Sequence, residues 1–128
     1  MKYGGVTLRP TRGFMLPEIT VTDLAEKLKS DEQFILLDVR EPVELGYARI
    51  DDARFEAAPI SRLSQEGTEA LSEAARSQDA TIYVMCHHGN RSAQVTAWLA
   101  RQGWKNVFNV RGGIDEYARK VDSSVGLY

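Results

Sequence analysis

The sequence predicts an α/β fold, a mostly parallel central sheet of about five strands with helices on both faces. Three observations predict it. Segments of strand character alternate with segments of helical period along the chain. Two strand candidates, Phe34–Val39 and Ile82–Met85, are nearly continuous apolar runs, the pattern of strands covered on both faces. A length of 128 residues fits one domain, able to bury a core without disulfides or metal.

Residues 1–16 are rich in Gly, Arg, Thr and Pro and show no sustained period, so they read as a lead-in that packs on the body or stays loose. The domain proper is expected to run over residues 17–128. Glu18–Val21 is a short strand candidate, and Thr22 is expected to cap a helix over Asp23–Lys29 whose Leu24, Ala25 and Leu28 share a face. The strand Phe34–Val39 follows, then a helical turn or two at Pro42–Gly46 with proline in the first turn. Arg49–Ala58 is polar and irregular and reads as a loop with room for a short strand. Ser61–Arg76 has helical spacing that Gly67 interrupts and is expected to split. A strand over Ala80–Met85 leads through a Gly-Asn break into a helix over Ser92–Gln102, closed by Gly103. Asn106–Val110 is the last strand, Arg111-Gly112-Gly113 turns the chain, and Ile114–Val121 forms the last helix.

The formal charge of -2, with no Lys/Arg block, argues against nucleic-acid binding. Charge is uneven: from Cys86 onward there are six Lys/Arg against three acids, a mildly basic surround that suits a small anionic substrate. The N-terminus lacks the apolar region of a signal peptide and no apolar run approaches membrane-spanning length, so no membrane association is expected. One cysteine permits neither an internal disulfide nor an in-chain resolving thiol, and the expected compartment is the reducing cytoplasm.

That cysteine, Cys86, lies between the apolar run and the helix-like stretch, at the carboxyl end of a strand and facing a helix start. In open α/β sheets ligands bind there, and unpaired N–H groups stabilise an anion. A thiol of ordinary pKa is only about 3% ionised at neutral pH, and a shift of about two units makes it mostly thiolate. Arg91, reaching back as a fixed positive charge, and the amides of His87 to Ser92 both act in that direction. Gly89 allows the tight turn. His87 and His88 are adjacent, so their side chains are expected to point apart, and no second Cys/His cluster completes a four-ligand zinc site. A Cys-His dyad would need a third residue to orient the base, a geometry that sequence neighbours seldom have.

The segment Cys86-His87-His88-Gly89-Asn90-Arg91-Ser92 resembles the active-site loop of the rhodanese family of sulfurtransferases, a cysteine followed by four residues and an arginine. Leu36-Leu37-Asp38-Val39-Arg40-Glu41-Pro42 with Glu44 resembles that family's Asp-Val-Arg segment, and Asn109-Val110-Arg111-Gly112-Gly113-Ile114 its Gly-Gly turn. The resemblance covers about Pro17 to Val121 and implies a rhodanese-like domain. It departs at Tyr47–Ala53, where Arg49 stands for a usual His and Asp52 for a usual Gly, a change expected to affect packing near the site.

The resemblance implies a double displacement. Cys86 takes the outer sulfur of a donor such as thiosulfate as a persulfide, and a thiophilic acceptor, cyanide or a small or protein thiol, removes it. His87, His88, Gly89, Asn90, Arg91 and Ser92 would bind the substrate, and the chemistry requires neither metal nor organic cofactor. Of the other motif residues, Asp38 and Arg40 read as ties at a strand end, Ser92 first as a helix N-cap, Trp98 as core, and Gly112-Gly113 as a turn. Three alternatives stand beside this: a non-catalytic binding module of the same fold, a sulfur carrier serving another protein, and a cysteine phosphatase or arsenate reductase. The last uses a Cys-to-Arg gap one residue longer, wide enough to surround a phosphoryl group.

Overall fold

The computed structural model describes residues 2–3, 6–11 and 14–128, with side chains from Leu16 onward. The strands β1 (Lys2–Tyr3), β2 (Val6–Thr11), β3 (Phe14–Ile19), β4 (Ile35–Asp38), β5 (Phe55–Ala57), β6 (Thr81–Met85) and β7 (Asn106–Val110) form one sheet in the order β1-β2-β3-β7-β6-β4-β5. From β3 to β5 all neighbours are parallel, which gives the expected five-strand parallel core. β1 and β2 add antiparallel strands at one edge.

The lead-in is therefore part of the sheet where it is described. Residues 1, 4, 5, 12 and 13 of it lie outside the described residues. β3 begins at Phe14, four residues before the expected start, because its first half pairs with β2 and only Glu18 and Ile19 reach β7. Such pairing comes from a neighbouring strand and leaves no alternation to read within the segment itself.

Among the described residues, five α-helices cover the parallel core: α1 (Val21–Lys29), α2 (Ile60–Glu66), α3 (Glu73–Arg76), α4 (Asn90–Arg101) and α5 (Gly113–Lys120). Thr20, not Thr22, caps α1, accepting the Asp23 amide at 3.1 Å. The β-branched Val21 and Thr22 are weak helix formers, but burial of Val21 outweighs the few tenths of a kcal/mol involved. Ser61–Arg76 does split at Gly67, with a 3-10 turn at Gly67–Ala70 between α2 and α3.

Alternation along each strand divides the core between the two faces of the sheet. Leu37, Val39, Ile82, Val84 and Val107 pack under Leu63 of α2, Ala75 of α3, and Val95 and Leu99 of α4. Leu36, Tyr83, Met85 and Val110 face Leu24 of α1 and Ile114 and Tyr117 of α5. Each fully buried Leu or Ile contributes about 1.5–3 kcal/mol. Trp98 is only partly buried, at the rim of the first cluster.

The chain leaves β4 toward β5 on one side and leaves β6 toward β7 on the other. The order reverses between β4 and β6, and the crevice outside the carboxyl ends of these strands is the ligand position in such sheets. No described helix is long and apolar enough to cross a membrane.

Candidate active site

Cys86 follows the last residue of β6 and is buried, 1% exposed. Its Sγ accepts two backbone hydrogen bonds, from Gly89 at 3.1 Å and Ser92 at 3.3 Å, and lies 3.2 Å from Ser92 Oγ. The loop closes this tightly because Gly89 sits at φ +100°, a conformation a side chain resists. A Cβ there would lie 3.1 Å from the Gly112 amide nitrogen. α4 starts at Asn90, and its first free amides and positive dipole end face the sulfur.

α5 fixes the other side of the loop. The amides of Ile114 and Asp115 donate to the carbonyls of Cys86 (2.9 Å) and His87 (3.0 Å). These two bonds fix the backbone of Cys86 and His87 just before the Gly89 and Ser92 amides that reach Sγ. Gly113, at φ +62°, approaches so closely that a Cβ would overlap both carbonyl groups. The Gly-Gly pair is thus a turn, as expected, and also the floor of the loop.

Ser92 is not the N-cap of α4; Gly89 holds that position. Ser92 is fully buried one turn inside, its amide on Cys86 and its hydroxyl donating to Asn109 Oδ1 at 2.6 Å. Asn109 Nδ2 donates in turn to Gly89 O at 3.3 Å and Glu18 Oε2 at 3.4 Å. Asn109 and Glu18, both fully buried, were not legible as site residues. For Asn109 the signals are its place at the head of the Asn109–Ile114 motif and a polar residue inside the apolar β7 pattern.

Arg91 turns its guanidinium to Glu44, in a 3-10 turn over Pro42–Gly46, through bonds of 2.7 and 2.8 Å. The sulfur meets its charge through space and not through a hydrogen bond. Arg91 holds the Glu44 carboxyl at about 2, against a cost of burial, with the Glu41 amide and Tyr128 hydroxyl assisting. Glu44 in turn raises the Arg91 pKa, with a smaller contribution from Cys86. Tyr128 donates to Glu44 Oε1 at 2.9 Å and accepts from Arg40 at 3.0 Å.

Arg40 and Asp38, both fully buried, form a bidentate pair with contacts of 3.0 and 2.8 Å. Arg40 also donates to the carbonyls of Glu44 and Ala48, which ties the end of β4 to the loop carrying Glu44. These two residues act structurally, as expected.

The His87 and His88 rings do not point apart. Their centroids are 3.9 Å apart, and the Tyr128 ring stacks on the outer face of His87 at 3.8 Å. Tyr128 supplies a flat surface that sequence spacing could not show. Burial lowers the His87 pKa, the charge of His88 lowers it further, and contacts with Tyr128 and Asp115 offset part of this. One ring nitrogen of each His and a carboxylate oxygen of Asp115 lie within 4.8 Å of one another. That is room for a cation, but the Asp115 oxygen is already held by Arg119 at 3.0 Å. His88 and Asn90 are exposed at the loop surface.

Arg49 and Asp52 belong to other contacts. Asp52 fixes Arg54 at 2.8 Å, and Arg54 donates to the carbonyls of Lys27, Leu28, Ser30 and Glu32, closing the end of α1. Arg54 also lies 4.4 Å over the Phe34 ring. Asp52 thus replaces a flexible position with an ion pair that caps a helix. Arg49 lies over Phe55 and pairs with exposed Asp51.

The pattern of the family described as Rhodanese-like domain matches residues 20–120. A sulfurtransferase of Allochromatium vinosum is 35% identical over 108 residues, 82% of this chain and 91% of that protein. The Rhodanese-like/PpiC domain-containing protein 12, chloroplastic, of Arabidopsis thaliana is 34% identical over 87% of this chain, which spans only 37% of that protein's length. The crystal structure of a rhodanese-related protein from Thermoplasma volcanium aligns with TM-score 0.65 and 36% identity, covering 81% of this chain and 92% of that one. The parallel sheet, the cysteine loop at its switch point and the match over residues 20–120 agree: the chain belongs to the rhodanese-like domain family.

Proposed function

We propose that the protein is a sulfurtransferase that carries a sulfane sulfur on Cys86. The Cys86 thiolate attacks the outer sulfur of a donor such as thiosulfate; the Sγ–S bond forms, the donor's S–S bond breaks, and sulfite leaves with the bonding pair. A thiophilic acceptor, cyanide or a small or protein thiol, then attacks the outer sulfur and returns Cys86 to thiolate. The observation carrying this reading is the pair of amide hydrogen bonds from Gly89 and Ser92 to Sγ at the start of α4. Donors preorganised around a site of developing charge act as an oxyanion hole does. His87, His88, Gly89, Asn90, Arg91 and Ser92 line the loop and would contact the donor, with Arg91 supplying charge held by Glu44.

Four residues separate Cys86 from Arg91, which favours a sulfane sulfur over the wider phosphoryl group of a phosphatase or arsenate reductase. The lone free cysteine suits the reducing cytoplasm and sends the sulfur out of the chain, so a protein cysteine as acceptor makes the same chemistry a sulfur-carrier function. Nucleic acid and membrane are not proposed as partners. Thiocyanate formation from thiosulfate and cyanide, lost in Cys86→Ser, supports the enzyme. Turnover of an aryl phosphate without thiocyanate formation overturns it, and inactivity with both directs the assignment to a binding module.

A further inference from the structure

We propose that Asn109, held by Glu18, is a positioning residue that keeps the Ser92 hydroxyl proton turned away from Cys86 until the sulfur ionises. Four buried side chains, on β3, β7, α4 and the loop after β6, form one chain. Cys86 Sγ lies 3.2 Å from Ser92 Oγ, Ser92 Oγ donates to Asn109 at 2.6 Å, and Asn109 donates to Glu18 at 3.4 Å and to Gly89 O at 3.3 Å. Glu18 comes from β3, outside residues 20–120 that match the family pattern. The chain therefore reaches the nucleophile from the strand just before the matched span.

The direction of the chain follows from donor and acceptor counting. Both Asn109 Nδ2 hydrogens go to oxygens, one of them a backbone carbonyl that can only accept, so the amide is not free to flip and Oδ1 faces Ser92. Ser92 has one proton, which goes to Oδ1 in the short 2.6 Å bond. Its lone pairs then face the sulfur and accept the S–H of the thiol.

Ionisation breaks the S–H bond and the proton leaves to solvent, with the electron pair kept on sulfur. The contact between the Ser92 lone pair and the anion becomes repulsive, and Ser92 O–H rotates onto Sγ, abandoning Oδ1. When the sulfur is transferred, charge moves to the outer atom and the Ser92 proton returns to Asn109. Asn109 thus penalises charge on the inner sulfur and favours its transfer outward. This rests on Cys86 being the nucleophile of the proposed sulfurtransferase.

The test is the pH profile of iodoacetamide alkylation of Cys86, which reads the thiol whether or not any sulfur is transferred. Asn109→Leu should move the midpoint to lower pH by about half a unit to one unit, roughly three- to tenfold in rate below the midpoint. Asn109→Ser, too short to reach Ser92, should shift it the same way and serves if the Leu variant does not fold. In a Ser92→Ala background neither of these should move the midpoint further. The ionisable groups around the loop and the chain, Glu18, His87, His88, Arg91, Glu44, Asp38, Arg40, Asp115 and Tyr128, keep their identity in every variant and cancel. No shift or an upward shift in Asn109→Ser, or a shift that persists without the Ser92 hydroxyl, overturns the proposal.

Discussion

Arg91 and Glu44 are clamped side to side by two hydrogen bonds of 2.7 and 2.8 Å across 47 residues of sequence. The cation of the cysteine loop therefore acts with its charge partly neutralised. Arg91→Ala should move the Cys86 alkylation midpoint up and slow persulfide formation. Glu44→Gln should move the midpoint down, because the neutralising carboxylate is gone while the guanidinium remains. Each shift is expected to be about half a unit, near 0.7 kcal/mol. Shifts of the same sign would mean that the sulfur senses loop packing and not this charge.

The clamp also sets an acid limit. Glu44 is held at about 2 against an ordinary 4.5, so its folded-state pKa is depressed. Its stabilisation is fully present above 4.5 and is lost as pH falls from 4.5 toward about 2. The stability difference between the native chain and Glu44→Gln, from urea unfolding, should be on the order of 1–3 kcal/mol at neutral pH and shrink across that window. A difference independent of pH would contradict the assignment.

Asp38→Asn leaves the fully buried Arg40 guanidinium without its counter-charge. Breaking such a pair by removing one partner costs about 3–5 kcal/mol, and urea unfolding should show a loss of that size. Replacing both, Asp38→Leu with Arg40→Met, should cost less than Asp38→Asn alone. A larger loss in the double variant would show that the bonds from Arg40 to the Glu44 and Ala48 carbonyls dominate.

Gly113→Ala should displace the Cys86 and His87 carbonyls from the amides of Ile114 and Asp115, and with them the loop that carries the Gly89 and Ser92 amides to the sulfur. Overlap plus a positive φ predicts a loss of roughly 1–3 kcal/mol and slow persulfide formation. Gly46→Ala, with open space around the added methyl, is the control and should stay within about 0.5 kcal/mol. Unchanged sulfur transfer in Gly113→Ala would remove α5 from the account of the site.

The parallel core was legible because Phe34–Val39 and Ile82–Met85 carry their burial in local apolar runs, and the loop because cysteine, glycine and arginine lie within six residues. What the sequence hid is non-local. β2 and the first half of β3 owe their form to pairing with each other, and Tyr128 meets Glu44 and Arg40 from 84 and 88 residues away. Ser92 reads as a cap by type, yet Gly89 takes that position because the loop needs a left-handed residue there. Glu18 sits in a strand whose register alone brings it to Asn109. Only the assembled sheet brings these groups to the sulfur.

Acceptance of a sulfane sulfur by Cys86 is read by intact-protein mass spectrometry after incubation with thiosulfate. A gain of about 32 Da, one sulfur per chain, reversed by cyanide and absent in Cys86→Ser, is the predicted result. No adduct with thiosulfate, mercaptopyruvate or glutathione persulfide, from a chain whose Cys86 is alkylated by iodoacetamide, would contradict it.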